Sequence, residues 1–462
     1  MGTRNCSFLV LLAIASFLIS TSVDSSSPPQ FGGKLRHAVF QRVTTLDNSN
    51  YLNYAELQIA SQLYEGLVRR TRYGEIVAGI AQSWEHSSDY RIWSFTIAED
   101  ARFHDGEAVR AADVKGAWER FIKENWMGEV ADGWLNPLFT IDGATNSRRK
   151  DSNGVSGISV LDNRHLRVAL KEPDTEFLIK LTAPTAWITK PDISSGRELP
   201  PVGTGRYRLA SFQHEEIRIK ANAAYAWGGP YLDEITFRYY GEVRQALFDF
   251  ESGILDALHL PITETPRRLD DDSDEILIQT DATVGVYLRR MSEQSEPPLW
   301  FDVLKYAIDV DALLRLQYGA PSTQATATLS PRRYNPVKAR RRLKSSPAVR
   351  LLFAPLPDNS GNEIAARLQR NLLSQIGLQI SAVDIDAEAV QSVLTDRNAN
   401  LALLSVSLLH GVDAAINQLN RSDDLILLYL LPTNFLCQSH LRNLNIGWGG
   451  VVAFDQTWSA KR

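Results

Sequence analysis

RFHDGEAVRAADVKGAWERF, Arg102–Phe121, packs His104, Asp105 and Glu107 into four positions and then opens onto a run with helical spacing. A His beside two acids admits three readings: a catalytic cluster, a metal site, or the polar tip of a hairpin. Asp105-Gly106 is a dipeptide that tolerates the positive φ of a tight turn. Beyond it, Val114, Ala117, Trp118 and Phe121 fall on one face of a helix expected over 112–121. Ahead of it, RIWSFTIAED (Arg91–Asp100) alternates, with Trp93, Phe95 and Ile97 on the bulky side, which predicts a half-buried strand. The local order is therefore strand, turn, amphipathic helix.

Outward from this stretch, strands and helices mix throughout. KLRHAVFQRV (Lys34–Val43) predicts a first strand, TLDNSN (Thr45–Asn50) a loop of Asx-turn formers, and AELQIASQLYEGLV (Ala55–Val68) a helix with Gly66 near its end. GISVLDNRHLRVALK (Gly157–Lys171) reads as strand, Asp-Asn turn, strand, and GTGRYRLASFQHEEIRIKAN (Gly203–Asn222) as two more. VRQALFDFESGILDALHLP (Val243–Pro261) is a helix broken at Gly253 that runs into a buried strand. Further on, helices are expected over Phe301–Gly319 and Ile364–Gly377. The second of these lies between strands VRLLFAP (Val349–Pro355) and LQISAVDI (Leu378–Ile385), the order of a parallel crossover unit. ILLYLL (Ile426–Leu431), just before Pro432, suits a buried strand.

The chain has 462 residues, too many for one ordinary core, and its composition is globular: 44% hydrophobic and 22% charged. A net charge of −5 argues against nucleic acid or an anionic membrane surface as the main partner, since either needs a concentrated basic face. At the N-terminus, MGTRNC is followed by an uncharged run, Phe8–Ser20, and then by small residues. That run is short of the ~20 apolar residues needed to span a bilayer, and the pattern predicts a secretory signal peptide over 1–25. No Cys stands just after the run, the only nearby one being Cys6 ahead of it, so a secreted, unanchored, soluble protein is expected. Its one remaining cysteine, Cys437, is then a buried hydrophobe, and no intrachain disulfide is possible.

No CxxC, HExxH, GxSxG, GxGxxG or GxxxxGK[ST] motif is present. The eight histidines (His37, His86, His104, His165, His214, His259, His410 and His440) never pair at i+2, i+3 or i+4 as ligands of a local metal site would. No catalytic residue and no metal or other cofactor is expected.

Several segments taken in order resemble one family. LYEGLVRR is followed by the segment from GEIVAGIAQSW through RFHDGEAVRAADVKGAWERF, then VGTGRYRLASF, KANAAYAWGGPYLDEITFRYY and FESGILDAL. Together they resemble the family 5 extracellular solute-binding proteins, the dipeptide-, oligopeptide- and nickel-binding class that serves ABC importers. The resemblance runs from about residue 35 to 258 and continues through FDVLKYAIDVDALLRLQYGAP and YNPVKARRRL. It implies an α/β, two-lobed periplasmic-binding-protein-like (type II) fold with an extra subdomain in the first lobe. Lobe I would take 31–55, 191–270 and 425–462, the extra subdomain 56–190, and a shortened lobe II 275–424. The strands around Leu260 and Leu425 would be the crossings. The implied function is capture of a small peptide or similar solute in the interlobe cleft. A periplasmic monomer would then deliver it through transient contact with ABC permease membrane subunits. Under this reading His104, Asp105 and Glu107 are scaffold, on the outside of the extra subdomain.

The resemblance also places candidate contacts. Thr44, Thr45 and Asn48 stand in the first-strand loop at the expected cleft edge. Members that hold a peptide's ammonium use a Trp-x-x-Asp-Tyr-x-Asp-Pro-like segment, whose place here is SVSLLHGVDAAINQLN (Ser405–Asn420). The Trp has no counterpart, and His410, Gly411 and Asp413 are the candidates, with Asp413 alone offering a carboxylate. Few residues separate Asn420 from the terminal strand, so lobe II is trimmed. The trimming motivates an alternative of another class, a transport-deficient sensor or chaperone-like interaction protein with the same fold. In GTGRY (Gly203–Tyr207) the glycines are expected to serve backbone geometry.

Overall fold

The structure, a computed structural model, describes residues 29–48, 52–71, 74–124, 137–144, 154–190, 201–213, 215–260, 275–290, 298–310, 312–313, 334–343, 347–353, 361–384, 400–407, 425–446 and 451–460. The elements below lie in one compact unit, Phe31–Arg462. β1 (Lys34–Val39) alternates exposed and buried at its start and is followed by α1 (Tyr54–Leu63). The predicted helix stops at Leu63 rather than Val68, because the backbone there must run against other backbone. A Cβ on Gly66 would stand 3.2 Å from the Leu181 carbonyl, and one on Gly79 only 2.5 Å from the Gly66 carbonyl. The chain leaves α1 into a short hairpin, β2 (Val68–Arg70) and β3 (Ile76–Ala78).

β4 (Ala81–His86), β5 (Ile92–Ile97), β6 (Ile158–Val160) and β7 (His165–Ala169) form an antiparallel sheet in the order β4-β5-β7-β6. Trp93, Phe95 and Ile97 are buried, as the alternation predicts. α2 (Ala111–Glu124) packs Val114, Trp118 and Phe121 into the same core. Its N-terminal residue lacks a hydroxyl cap, but the Asp113 carboxylate accepts from Arg110 N at 2.7 Å, half of a capping box. The turn between β5 and α2 forms as expected, with Gly106 at φ +92. The histidine beside it departs from expectation. His104 N donates to the Gly203 carbonyl (2.9 Å) and its Nε2 lies 3.0 Å from the Gly205 carbonyl, so it points into the protein and joins the hairpin to GTGRY. Burial holds its pKa down at about 4. Asp105 and Glu107 both meet Lys190, at 2.6 and 2.5 Å.

The largest sheet has ten strands. β8 (Tyr207–Gln213), β9 (Glu216–Ala221) and β10 (Glu234–Tyr239) form a meander, and β10 pairs parallel with β1. α3 (Val243–Glu251) ends before Gly253, at φ +70, and leads into the fully buried β11 (Ala257–Leu260). β12 (Glu275–Arg290) runs the length of the sheet's middle. α4 (Leu299–Ala307) is interrupted at Ile308, whose extended backbone breaks the predicted helix, and helical residues resume at Val310 and over 312–313. After α5 (Pro336–Arg342) come β13 (Val349–Phe353), α6 (Gly361–Ile376) and β14 (Ile380–Asp384). β13 and β14 are parallel, which makes the expected crossover unit, and Gly377 leaves α6 at φ +75. β15 (Leu401–Ser407) and β16 (Leu425–Gln438) complete the order β14-β13-β15-β12-β16-β11-β1-β10-β9-β8.

β12 and β16 are the seam of the molecule. They pair antiparallel along most of their length, and β16 joins β11 while β12 joins β15. Register shifts interrupt the ladder between Gln279 and Val284, opposite Pro432. A bulge is where a strand tolerates a proline, which explains why ILLYLL continues past Pro432 as one strand.

Three of the apolar clusters of described residues sit along this frame, and a fourth packs α3 and β11 against Ala38 and Leu436. One draws only on residues between Leu67 and Ile188, one chiefly on residues between Val286 and Leu428, and one on residues from β1, α1, β8–β11 and the C-terminal segment. Cys437 is fully buried in the third, and burial pushes its thiol up to about 12. A thiol reagent such as DTNB is expected to leave it unmodified in the native protein and to react fully in urea. Rapid native labelling would contradict this burial. Among the described residues no helix is long and apolar enough to cross a membrane.

Candidate functional site

The expected cleft edge is the loop between β1 and α1, and its shape is set by one buried acid. Asn53-Tyr54-Ala55-Glu56 has capping-box spacing. Glu56 N donates to Asn53 Oδ1 at 3.0 Å, and Asn53 N donates back to Glu56 Oε2 at 2.8 Å. The other oxygen, Oε1, accepts from Thr44 N (2.7 Å), Thr44 Oγ1 (2.8 Å) and Thr45 N (3.0 Å). Glu56 is 2% exposed. Burial raises its pKa, while the bonds from Thr45, Asn53 and Thr44 pull the other way.

Thr44 and Thr45 are thereby brought together, with their polar groups turned inward. Thr45 Oγ1 accepts from Asp47 N at 3.0 Å, a local turn. Asn48 is buried and its amide has protein partners on both sides. Nδ2 donates to the Pro184 and Trp187 carbonyls (3.2 and 3.4 Å), and Oδ1 accepts from Thr189 Oγ1 (3.0 Å). Arg120 on α2 reaches the same loop through Asp47 at 2.9 Å and Thr189 at 2.8 Å. The three residues thus fix the loop's shape and lash it to the segment around 184–189. His410, Gly411 and Asp413 lie outside the described residues.

Two features of this region were missed in the sequence. Tyr54 OH lies 3.0 Å from His259 Nε2 on β11, while its ring packs on the cluster of residues 286–428. That contact joins the start of α1 to the far side of the seam. The second is a cavity of about 710 Å³ alongside α1, lined from Leu57 onward. Tyr64, Glu65, Arg69, Arg206, Trp227 and Asp455 line it, and among the described residues none between Trp227 and Asn443 does. Glu65 there accepts from Tyr225 OH at 2.6 Å and lies 3.3 Å from Arg69, and Arg206 pairs with Asp455.

The family model for bacterial extracellular solute-binding proteins, family 5 (middle), matches residues 75–408, most of the chain and both sides of the seam. The chain belongs to this family. Among curated members, the periplasmic murein peptide-binding protein MppA of Escherichia coli K12 is 27% identical over 305 residues. That match takes in 62% of this chain and 54% of MppA, so it spans about half the length of that relative. The dipeptide-binding protein DppE of Bacillus subtilis is 22% identical over 382 residues, 74% of this chain and 68% of DppE. Solved structures agree in fold. The E. coli murein tripeptide binding protein MppA superposes with a TM-score of 0.71 at 18% identity, covering 94% of this chain and 99% of MppA. AgaA of A. tumefaciens R10, solved with agropinic acid, gives 0.72 at 18% identity, covering 93% of this chain and 99% of AgaA. This family 5 protein has the α/β, two-lobed periplasmic-binding-protein-like fold that the sequence motifs imply.

Proposed function

We propose that this protein captures a peptide-like solute between its two lobes and hands it to an ABC import permease. The observation that carries the reading is the family match over residues 75–408, which takes in both sides of the β12–β16 seam. The relatives named for murein peptide and dipeptide binding favour a peptide-like ligand. Lobe I would take 31–55, 191–270 and 425–462, the extra subdomain 56–190 and lobe II 275–424. The four apolar clusters of described residues support that division, since each lies mainly within one of these sets. Thr44, Thr45 and Asn48 would hold the rim of the cleft in shape, and Asp413, with His410 and Gly411 beside it, would receive the solute's ammonium. An acid in a site shielded from water pairs with an ammonium far better than solvent-exposed polar groups do. The two-strand seam would let the lobes close, and closure is driven by the solute's tighter binding to the closed form. The mature protein, cleaved after its signal, would act in the periplasm as a monomer, without cofactor and without catalysis.

A thermal-shift screen of di- to pentapeptides, amino acids and nickel tests this. A ligand at a hundredfold excess over its Kd adds about 2.7 kcal/mol, a Tm rise of about 3–6 °C for a chain this long. At least one peptide is expected to give that rise and to lose it in Asp413→Asn. A screen in which no peptide shifts Tm would overturn the transport reading in favour of a fold-sharing sensor.

A further inference from the structure

The cavity alongside α1 shares Pro184 and Trp187 with the segment that holds Asn48, but Thr44, Thr45 and Glu56 are not among its described lining, which has its own chemistry. Its described lining brings together three arginines, Arg69, Arg70 and Arg206, and three carboxylates, Glu65, Glu75 and Asp455, which balance in charge. Four of these six charges pair with each other: Glu65 has Arg69 and the Tyr225 hydroxyl, and Arg206 has Asp455 while its guanidinium lies 5.0 Å over the Tyr225 ring. A charged ligand would have to displace a member of a sheltered pair and strand its partner. A neutral ligand would not.

Hydrogen-bonding capacity remains all the same. Arg206 Nε, a donor, and Asp455 Oδ1, an acceptor, are both sheltered from solvent and have no partner among the described residues. They sit on the two members of one ion pair. A hydroxyl is the group that accepts from the first and donates to the second at once. The walls add aromatic faces. Trp187 packs 6.0 Å from Tyr64, centroid to centroid. Trp227 is 40% exposed, yet its ring plane is fixed by a 2.7 Å bond from Nε1 to the Gly79 carbonyl. Leaving a tryptophan exposed while orienting it beside a cavity prepares a stacking face, since the negative face of the ring attracts polarised C–H groups. The volume, about 710 Å³, is ample for one or two sugar rings and lies within the usual range of small-molecule pockets.

We propose that this cavity is a second solute site, taking a neutral, hydroxyl-rich ring compound of the saccharide class. A sugar ring stacks on Trp227 and presents hydroxyls to the Arg206–Asp455 pair. No described residue of 275–424 lines it, so a sugar bound here is expected not to compete with a solute in the interlobe cleft.

Saturation-transfer NMR and calorimetric titration of the purified chain with glucose, N-acetylglucosamine, sucrose and maltose test the proposal. At least one sugar is expected to bind saturably, with one site per chain. Trp227→Ala is expected to weaken that binding about tenfold, the loss of one ring contact, and Trp227→Phe to keep most of it. Circular dichroism of both variants is expected to match the parent, since Trp227 lies partly in solvent. Peptide titration of the same variants reports on the cleft separately and is expected to be unchanged. Three results would overturn the proposal: no saturable binding of any of the four sugars up to ~100 mM, well above a weak Kd of ~1 mM; equal sugar affinity in Trp227→Ala; or displacement of the sugar by a cleft-binding peptide.

Discussion

Glu56→Ala is expected to lower stability by about 4 kcal/mol, the largest single effect in the cleft-edge region. Four donors converge on this carboxylate: Thr44 N, Thr44 Oγ1, Thr45 N and Asn53 N. Deleting an acceptor leaves each sheltered donor short of a bond, at about 1–3 kcal/mol for a fully buried group. Here the loop is only partly sheltered, so water replaces some of the loss and each of the four donors costs near the lower end of that range, about 1 kcal/mol. The N-cap contribution of α1 is weakened as well, because the returning half of the capping box is lost, although Asn53 can still cap Glu56's own amide position. Urea unfolding followed by circular dichroism should show a lower midpoint with an unchanged m-value. Glu56→Gln, which keeps one acceptor oxygen, should fall between the two. If Thr44, Thr45 and Asn48 act by shaping the rim, Glu56→Ala also weakens solute binding beyond what Thr44→Ala does alone, since it releases both backbone amides of the loop. A midpoint within ~0.5 kcal/mol of the parent would show that the loop holds its shape without the acid.

Local features were legible in the sequence because their causes lie within a few residues. Asp105-Gly106 and the Val114–Trp118–Phe121 stripe needed only turn chemistry and helical spacing, and both form as expected. The parallel pair β13 and β14 followed from element order alone. What escaped has long-range causes. α1 ends at Leu63 because Gly66 and Gly79 must pass close to carbonyls, a contact no helical propensity encodes. The glycines of GTGRY do serve geometry, but the reason is proximity: a Cβ on Gly205 would stand 2.5 Å from the Leu63 carbonyl carbon. His104 turned inward because its partner, the Gly205 carbonyl, lies 101 positions away. At the candidate sites the same division holds. Asn53 and Glu56 show a capping-box spacing in the sequence, whereas Glu56's hold on Thr44 and Thr45 does not show there. Arg206 and Asp455, 249 positions apart, cannot be read as a pair until the C-terminal segment is seen beside the start of β8.

The second large effect concerns a pair that ties β1 to β11, and its direction is counterintuitive. Removing the half-exposed partner, Arg36→Ala, should destabilise by about 4 kcal/mol, more than removing the buried one. Asp256 is 4% exposed and accepts from Arg36 Nε at 2.9 Å, Arg36 Nη2 at 2.9 Å and Arg36 N at 2.8 Å. Arg36's side chain is 45% exposed. Loss of the arginine side chain strands a carboxylate away from water with one backbone donor and His440 Nε2 at 3.6 Å, and an uncompensated buried charge costs about 3–5 kcal/mol. Asp256→Ala instead releases a guanidinium that already reaches solvent, leaving chiefly the Arg36 amide unpaired, which costs about 1–3 kcal/mol. The double variant should then be more stable than Arg36→Ala alone, because no charge is left stranded. Denaturant midpoints of the four proteins in a double-mutant cycle decide it, since the two positions share partners and cannot be additive. If Arg36→Ala proves milder than Asp256→Ala, the carboxylate is better solvated than its burial implies, and the β1–β11 junction is held by its backbone ladder rather than by this pair.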